Sequence, residues 1–204
     1  MKLLPLKITA KSGAWRKFYN RKANPKFKGI SAAILKRDKY TCRFCGFHSK
    51  EHQEIVNIDS DYDNNKLNNL ATACSFCAQC FFLDSLGLDE NSGGSIVYAP
   101  EVSQADLNNF CRVLFCSMEK NSPYKGKLQS IYVTLKNRIG PIENCFGPNS
   151  SNPNNFGRGL IDSYLNEKQL NHKLLDSLRL LPAKSSFQPQ INYWKDTIFS
   201  NISF

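Results

Sequence analysis

KRDKYTCRFCGF, residues 36–47, places two cysteines at a two-residue spacing inside a basic segment whose single acid is Asp38. A second such pair stands in ATACSFCAQC, residues 71–80. Together Cys42, Cys45, Cys74 and Cys77 read C-x2-C-x28-C-x2-C. A two-residue spacer lets both sulfurs of a pair reach one ion, and thiolate is the preferred protein ligand of zinc. Two pairs fill a tetrahedron and leave no open position. The spacing therefore predicts one structural Zn2+ rather than a catalytic one, with binding energy that is largely folding energy.

The surrounding chain has 204 residues, 41% of them hydrophobic and 12% aromatic, enough for one domain, or one with a small annex. The opening MKLLPLKITAKSG is interrupted at Pro5 and Lys7 and no small-residue cleavage site follows, so it does not read as a signal peptide. No apolar run reaches the roughly 18 residues of a membrane-spanning helix. The expected compartment is the reducing cytoplasm, where paired cysteines are metal ligands before they are disulfides.

Net charge is +10 and unevenly placed. Residues 1–50 carry 14 Lys and Arg against one acid, and the remainder is net acidic. Within GAWRKFYNRKANPKFKG, residues 13–29, the cations Arg16, Lys17, Arg21, Lys22, Lys26 and Lys28 form a candidate partner-binding patch. Such a patch suits nucleic acid, anionic lipid head groups or an acidic protein segment. Trp15, Phe18, Tyr19 and Phe27 between them can stack on bases or pack on the domain while the charges stay solvated.

Patterning divides the chain into a basic aromatic arm (1–30), a cysteine core (31–86) and a mainly helical part (87–204). Ser31 is a candidate cap for a helix over SAAILKRDKY. The turn-rich stretch 87–100 allows one short strand at Ser95–Ala99. Ser103 caps a helix carrying Leu107, Phe110, Cys111, Leu114, Phe115 and Met118, which makes Cys111 and Cys116 buried hydrophobes. Pro123 opens a second helix, which Gly140-Pro141 is expected to stop. Residues 141–157 read as a long exposed loop containing Cys145. Arg158–Leu181 reads as the longest helix, ended by Pro182. The aromatic tail, residues 187–204, either packs back or docks on a partner. Cys80 falls one turn beyond Cys77 and suits a core position, although it is a possible alternative ligand.

Two further patterns lead nowhere. HSKEH, residues 48–52, matches a metallopeptidase H-x-x-E-H motif, but it starts where a zinc knuckle turns and has no clear third ligand. DSDYDNNKLNNL, residues 59–70, begins like a calcium loop, yet Asn64 replaces the sixth-position Gly and Leu70 the twelfth-position Glu.

KRDKYTCRFCG, EIVNID and NNLATACSFC together resemble the HNH endonuclease family over roughly residues 31–86. The resemblance implies an α+β fold: a zinc-stapled HNH-like core, of ββα-metal or treble-clef-like kind, with additional C-terminal helices. Catalysis in that family needs a general-base His at the end of the first strand and a metal-ligating His after the last Cys. Here Asn57 and Ala78 stand at those places, and an amide cannot take a proton near neutral pH. Asn69 alone is kept. No catalytic residue is therefore expected.

Across its full length the chain resembles a family of components of the Dot/Icm type IVB secretion system. The basic stretch, the degenerate HNH core and the helical half with GPNSSNPNNFG, residues 147–157, carry that likeness. It implies a zinc-binding adaptor in the cytoplasm, held at the inner membrane through the type IV coupling complex. Its implied partner is the C-terminal extension of the coupling ATPase, with associated adaptors that recruit effector proteins. The alternative class is a nucleic-acid-binding protein or metal-dependent HNH nuclease.

Overall fold

The computed structural model describes residues 2–87, 93–120, 122–165 and 172–201. The basic stretch forms two helices, α1 (Ala14–Lys22) and α2 (Pro25–Arg37). The Asn24 side chain accepts a hydrogen bond from the Lys26 N–H, and Pro25 occupies the first turn, where its missing N–H costs nothing. The helix expected from Ser31 thus starts six residues earlier and runs through that position. Asn24-Pro25 is the stronger start signal.

After α2 the chain turns through the first cysteine pair. The Cys42 N–H bonds to the Phe47 carbonyl, the Gly46 N–H bonds back to the Cys42 carbonyl, and Thr41 pairs with His48 across the base. Gly46 has φ +75°, a left-handed conformation that disfavours any residue with a Cβ. An antiparallel hairpin follows, β1 (Gln53–Asn57) and β2 (Leu70–Cys74), in register from Gln53 opposite Cys74 to Asn57 opposite Leu70. The short helix α3 (Ser75–Ala78) continues directly from β2.

A second two-stranded antiparallel sheet joins β3 (Ser95–Tyr98) to β4 (Leu178–Leu181). Between them lie α4 (Gln104–Glu119), α5 (Lys125–Lys136), α6 (Gly140–Phe146), α7 (Pro153–Leu165) and α8 (His172–Leu175). The last element is α9 (Gln188–Thr197). Among the described residues the architecture is mixed α/β with two small sheets. As expected, the Ser103 hydroxyl caps α4 by accepting from the Asp106 N–H. Residues 88–92 of the turn-rich stretch lie outside the described residues.

Three expectations are corrected. Gly140-Pro141 does not stop a helix but begins α6, because proline is tolerated in a first turn. Residues 141–157 are not one loop: α6 ends at Gly147 (φ +93°), and the Asn152 side chain accepts the N–H groups of Asn154 and Asn155 to open α7. The Pro, Asn, Ser and Gly density there spells helix ends. Arg158–Leu181 is not one helix either. α7 ends at Leu165, residues 166–171 lie outside the described residues, and Leu178–Leu181 is a strand. Leu178 and Leu180 are buried in one core cluster and Leu181 in another, while Arg179 is only half-buried, so the leucine-rich run serves a strand buried on both faces once β3 is available to pair.

The main core joins the cysteine segment to the helices. Phe76, Leu107, Leu114, Phe115, Phe187, Ile191 and Trp194 pack in one cluster with the four cysteines. A second cluster holds Cys80, Leu83, Ile96, Ile142, Phe156 and Leu160. Trp194 is fully buried, so the C-terminal segment packs back onto the domain through α9. Residues 202–204 of the tail lie outside the described residues.

Candidate metal centre

Cys42 and Cys45 come from the knuckle, Cys74 ends β2, and Cys77 sits one turn further on in α3. All four are buried, and their Sγ atoms lie within 4.8 Å of one another. Cys45 Sγ and Cys74 Sγ are 3.6 Å apart. That is far beyond a disulfide bond of about 2.05 Å. It is close to the roughly 3.8 Å edge that metal–sulfur bonds of about 2.3 Å give a tetrahedron. The knuckle is tied to the hairpin by the Arg43 N–H, which bonds to the Thr72 carbonyl at 2.8 Å. Backbone structure, not side-chain adjustment, brings the two pairs together.

The remaining cysteines do not join. Cys80 lies in the second core cluster and its Sγ donates to the Phe76 carbonyl at 3.5 Å. Cys111 and Cys116 are buried on α4, where burial pushes each thiol up to about 12. Cys145 is exposed on α6.

The quartet carries a strong electrostatic signature. Burial opposes ionisation at Cys42, Cys74 and Cys77. At Cys74, hydrogen bonds from Cys42, Cys45 and Cys77 and the charge of Arg112 overcome that burial, and the thiol lies well below its ordinary value. Burial and its sulfur neighbours raise Cys77 instead. Arg112, on α4, is itself 2% exposed. Its Nη2 lies 3.0 Å from Cys74 Sγ and 3.9 Å from Cys45 Sγ. One turn earlier, Asn108 Nδ2 points at Cys77 Sγ from 3.4 Å. The guanidinium stacks 3.7 Å from the Phe47 ring centroid and 5.1 Å from that of Trp194. Four sulfurs in reach of one another and facing buried N–H donors suit a soft or borderline cation.

Neither Arg112 nor Asn108 was among the candidate residues read from the sequence. The available signal was their four-residue spacing on the helix face that also carries Leu107, Cys111, Leu114 and Phe115. A polar pair on an apolar face needs a buried partner.

The places at issue in the HNH comparison are filled by scaffold groups. Asn57 is fully buried at the end of β1. Its Nδ2 donates to the carbonyls of Asp61 (2.7 Å) and Asn64 (2.8 Å), and its Oδ1 accepts from Arg21. Asn69 Nδ2 donates to Asp59 Oδ1 at 2.9 Å and to the Asn64 carbonyl at 2.8 Å. The polar segment 59–69 is therefore held both by its own side chains and by Asn57. Ala78 is buried in the main core cluster.

The six candidate cations do not share one environment. Arg21 is partly buried, donates to the Ile55 carbonyl and stacks on Phe27 and Tyr62. Lys17 pairs with Asp63, and Lys22 with Glu54 at 2.7 Å. Arg16, Lys26 and Lys28 are exposed, with Arg16 lying 5.2 Å from the Trp15 ring centroid. Among the described residues, no helix is long and apolar enough to cross a membrane.

No protein-family model matches the chain. It is 44% identical over 198 residues to the curated type 4 apparatus protein DotN of Legionella pneumophila, a match that covers 97% of this chain and 92% of that protein. An identity of that size, running through the cysteine segment and the helical half alike, establishes descent: the chain belongs to the DotN family of type 4 apparatus proteins.

Proposed function

We propose that the protein is a non-catalytic, zinc-stapled adaptor of a type IV coupling complex. It binds the C-terminal extension of the coupling ATPase and supports recruitment of effector proteins for secretion. It works in the cytoplasm, at the inner membrane face through its partners. The observation that carries this reading is the near full-length kinship with a type 4 apparatus protein.

Zinc is the ion the donor set favours. Cys42, Cys45, Cys74 and Cys77 would hold it, with all four positions taken by buried sulfur and none left for water or substrate. When bound, the ion supplies structure rather than Lewis-acid chemistry at a substrate. The order knuckle, β1, β2, α3 supports an HNH-like core that has kept its staple. Asn57 and Ala78 support the loss of the hydrolytic centre, since neither an amide nor a methyl group activates water.

A nucleic-acid-binding role is the second reading, favoured by exposed Arg16, Lys26 and Lys28 in a strongly basic first quarter. Affinity capture of the tagged protein from its own cells, with and without nuclease, separates the two. Capture of a membrane-associated ATPase and adaptor proteins that survives nuclease supports the adaptor. Captured nucleic acid, or Mg2+- or Mn2+-dependent nicking of plasmid DNA by clean protein, overturns it.

A further inference from the structure

Building on the zinc reading, we propose that Arg112 is the counter-cation of the metal centre, a positioning residue whose charge sets how tightly the centre keeps its ion. Four thiolates around a divalent ion leave two negative charges in excess. The quartet is buried, Cys45 being its most exposed member at 7%, so water screens that charge poorly. Arg112 brings a single positive charge to the same place.

The converse holds for the arginine. The guanidinium of a residue only 2% exposed needs an anion, because an unpaired buried charge costs several kcal/mol. Among the described residues, no carboxylate lies within ion-pair distance of Arg112. Its polar contacts are Cys74 Sγ, Cys45 Sγ and Asn109 Oδ1. The sulfurs are the only anionic groups in that set. Each partner accounts for the burial of the other.

The delivery is directional. Arg112 and Asn108 reach three of the four sulfurs from one face of α4, a helix separate from every element that supplies one of the four quartet cysteines. The Phe47 and Trp194 rings lie 3.7 Å and 5.1 Å from the guanidinium carbon, centroid to carbon. Groups that hydrogen-bond metal ligands from outside tune metal affinity, and removing one typically changes it about 10- to 100-fold.

The test uses the full chain, purified with zinc, and the variants Arg112→Lys and Arg112→Met. Zinc transfer to excess chelator is followed with a colorimetric indicator. The sulfur-to-cobalt charge-transfer band is recorded after Co2+ exchange. A charge role predicts release about 10-fold faster or more for Arg112→Met with a shifted band, and release close to the parent for Arg112→Lys. A packing role predicts the reverse order, since Met fills the aromatic slot and Lys does not; that order overturns the proposal. If Arg112→Met is insoluble, Arg112→Gln replaces it, and release no faster than from Arg112→Lys is equally fatal. Parent protein purified under reducing conditions without zinc would overturn the zinc reading itself, a result distinct from either order.

Discussion

Arg21 Nη1 donates to Asn57 Oδ1, joining the last turn of α1 to the end of β1. The other face of the Asn57 amide holds the Asp61 and Asn64 carbonyls. One buried side chain thus ties a helix, a strand and a loop, at the position where a hydrolytic HNH core would carry its base.

Replacing Asn57 by Ala should cost about 2–4 kcal/mol, because two carbonyls and a partly buried guanidinium lose partners at once. Denaturant unfolding measures it. An unchanged midpoint would mean that segment 59–69 is held by Asn69 and Asp59 without help from Asn57.

Removing the ion should unfold more than the knuckle. The quartet belongs to the same core cluster as Leu107, Phe115, Ile191 and Trp194, so its loss leaves mutually repelling or newly protonated sulfurs beneath α4 and α9. Excess chelator under reducing conditions, or Cys74→Ser, should flatten the near-ultraviolet dichroism of the aromatic cluster and lower solubility. A folded Cys74→Ser protein with undiminished zinc would remove Cys74 from the site.

Asp38 supplies the pH dependence. Its carboxyl is buried; it accepts the Thr72 N–H at 2.9 Å and two hydrogen bonds from Arg37, with Arg43 at 3.5 Å. Burial works against its charge, but Arg37 and Thr72 prevail and hold it below the usual carboxylate value. A depressed folded-state value gives stability that is present above the unfolded value of about 3.9 and is lost as pH falls through the folded one. Asp38→Asn should therefore be the less stable protein near neutrality, and the gap should narrow as pH falls below the unfolded value and through the depressed folded one. Parallel melting curves across that range would show that the charge contributes nothing.

The cysteine quartet was legible because C-x2-C spacing encodes its own geometry, and the Ser103 cap because it sits just before a clean apolar stripe. Neither needs distant partners. β4 was not legible: Leu178, Leu180 and Leu181 satisfy a helical stripe and a strand equally well, and only pairing with β3 decides between them. α6 was hidden by Gly140-Pro141, which can end a helix or begin one. Arg21 looked like a binding cation because composition does not reveal that Phe27, Tyr62 and Asn57 would converge on it. Long-range contacts decide the first two and give Arg21 its internal partners.

A further long-range contact is at Gly157. This glycine lies in α7, where a Cβ would come within 2.6 Å of the Asp84 backbone nitrogen and 2.9 Å of the Leu83 carbonyl carbon. Both obstacles are backbone and cannot swing aside. They belong to the short turn Leu83–Ser85, which continues from the cysteine segment, so this packing joins the helical half to the cysteine-bearing half. In an exposed helix interior, Gly to Ala would stabilise by up to about 1 kcal/mol through backbone entropy. Here overpacking should win, and Gly157→Ala should destabilise by about 1–3 kcal/mol. Neighbouring Gly159 has open space around its Cβ position, so Gly159→Ala provides the internal control and should be neutral or stabilising. Thermal melts of the two variants side by side should separate them, and equal shifts would mean that α7 does not press on the turn.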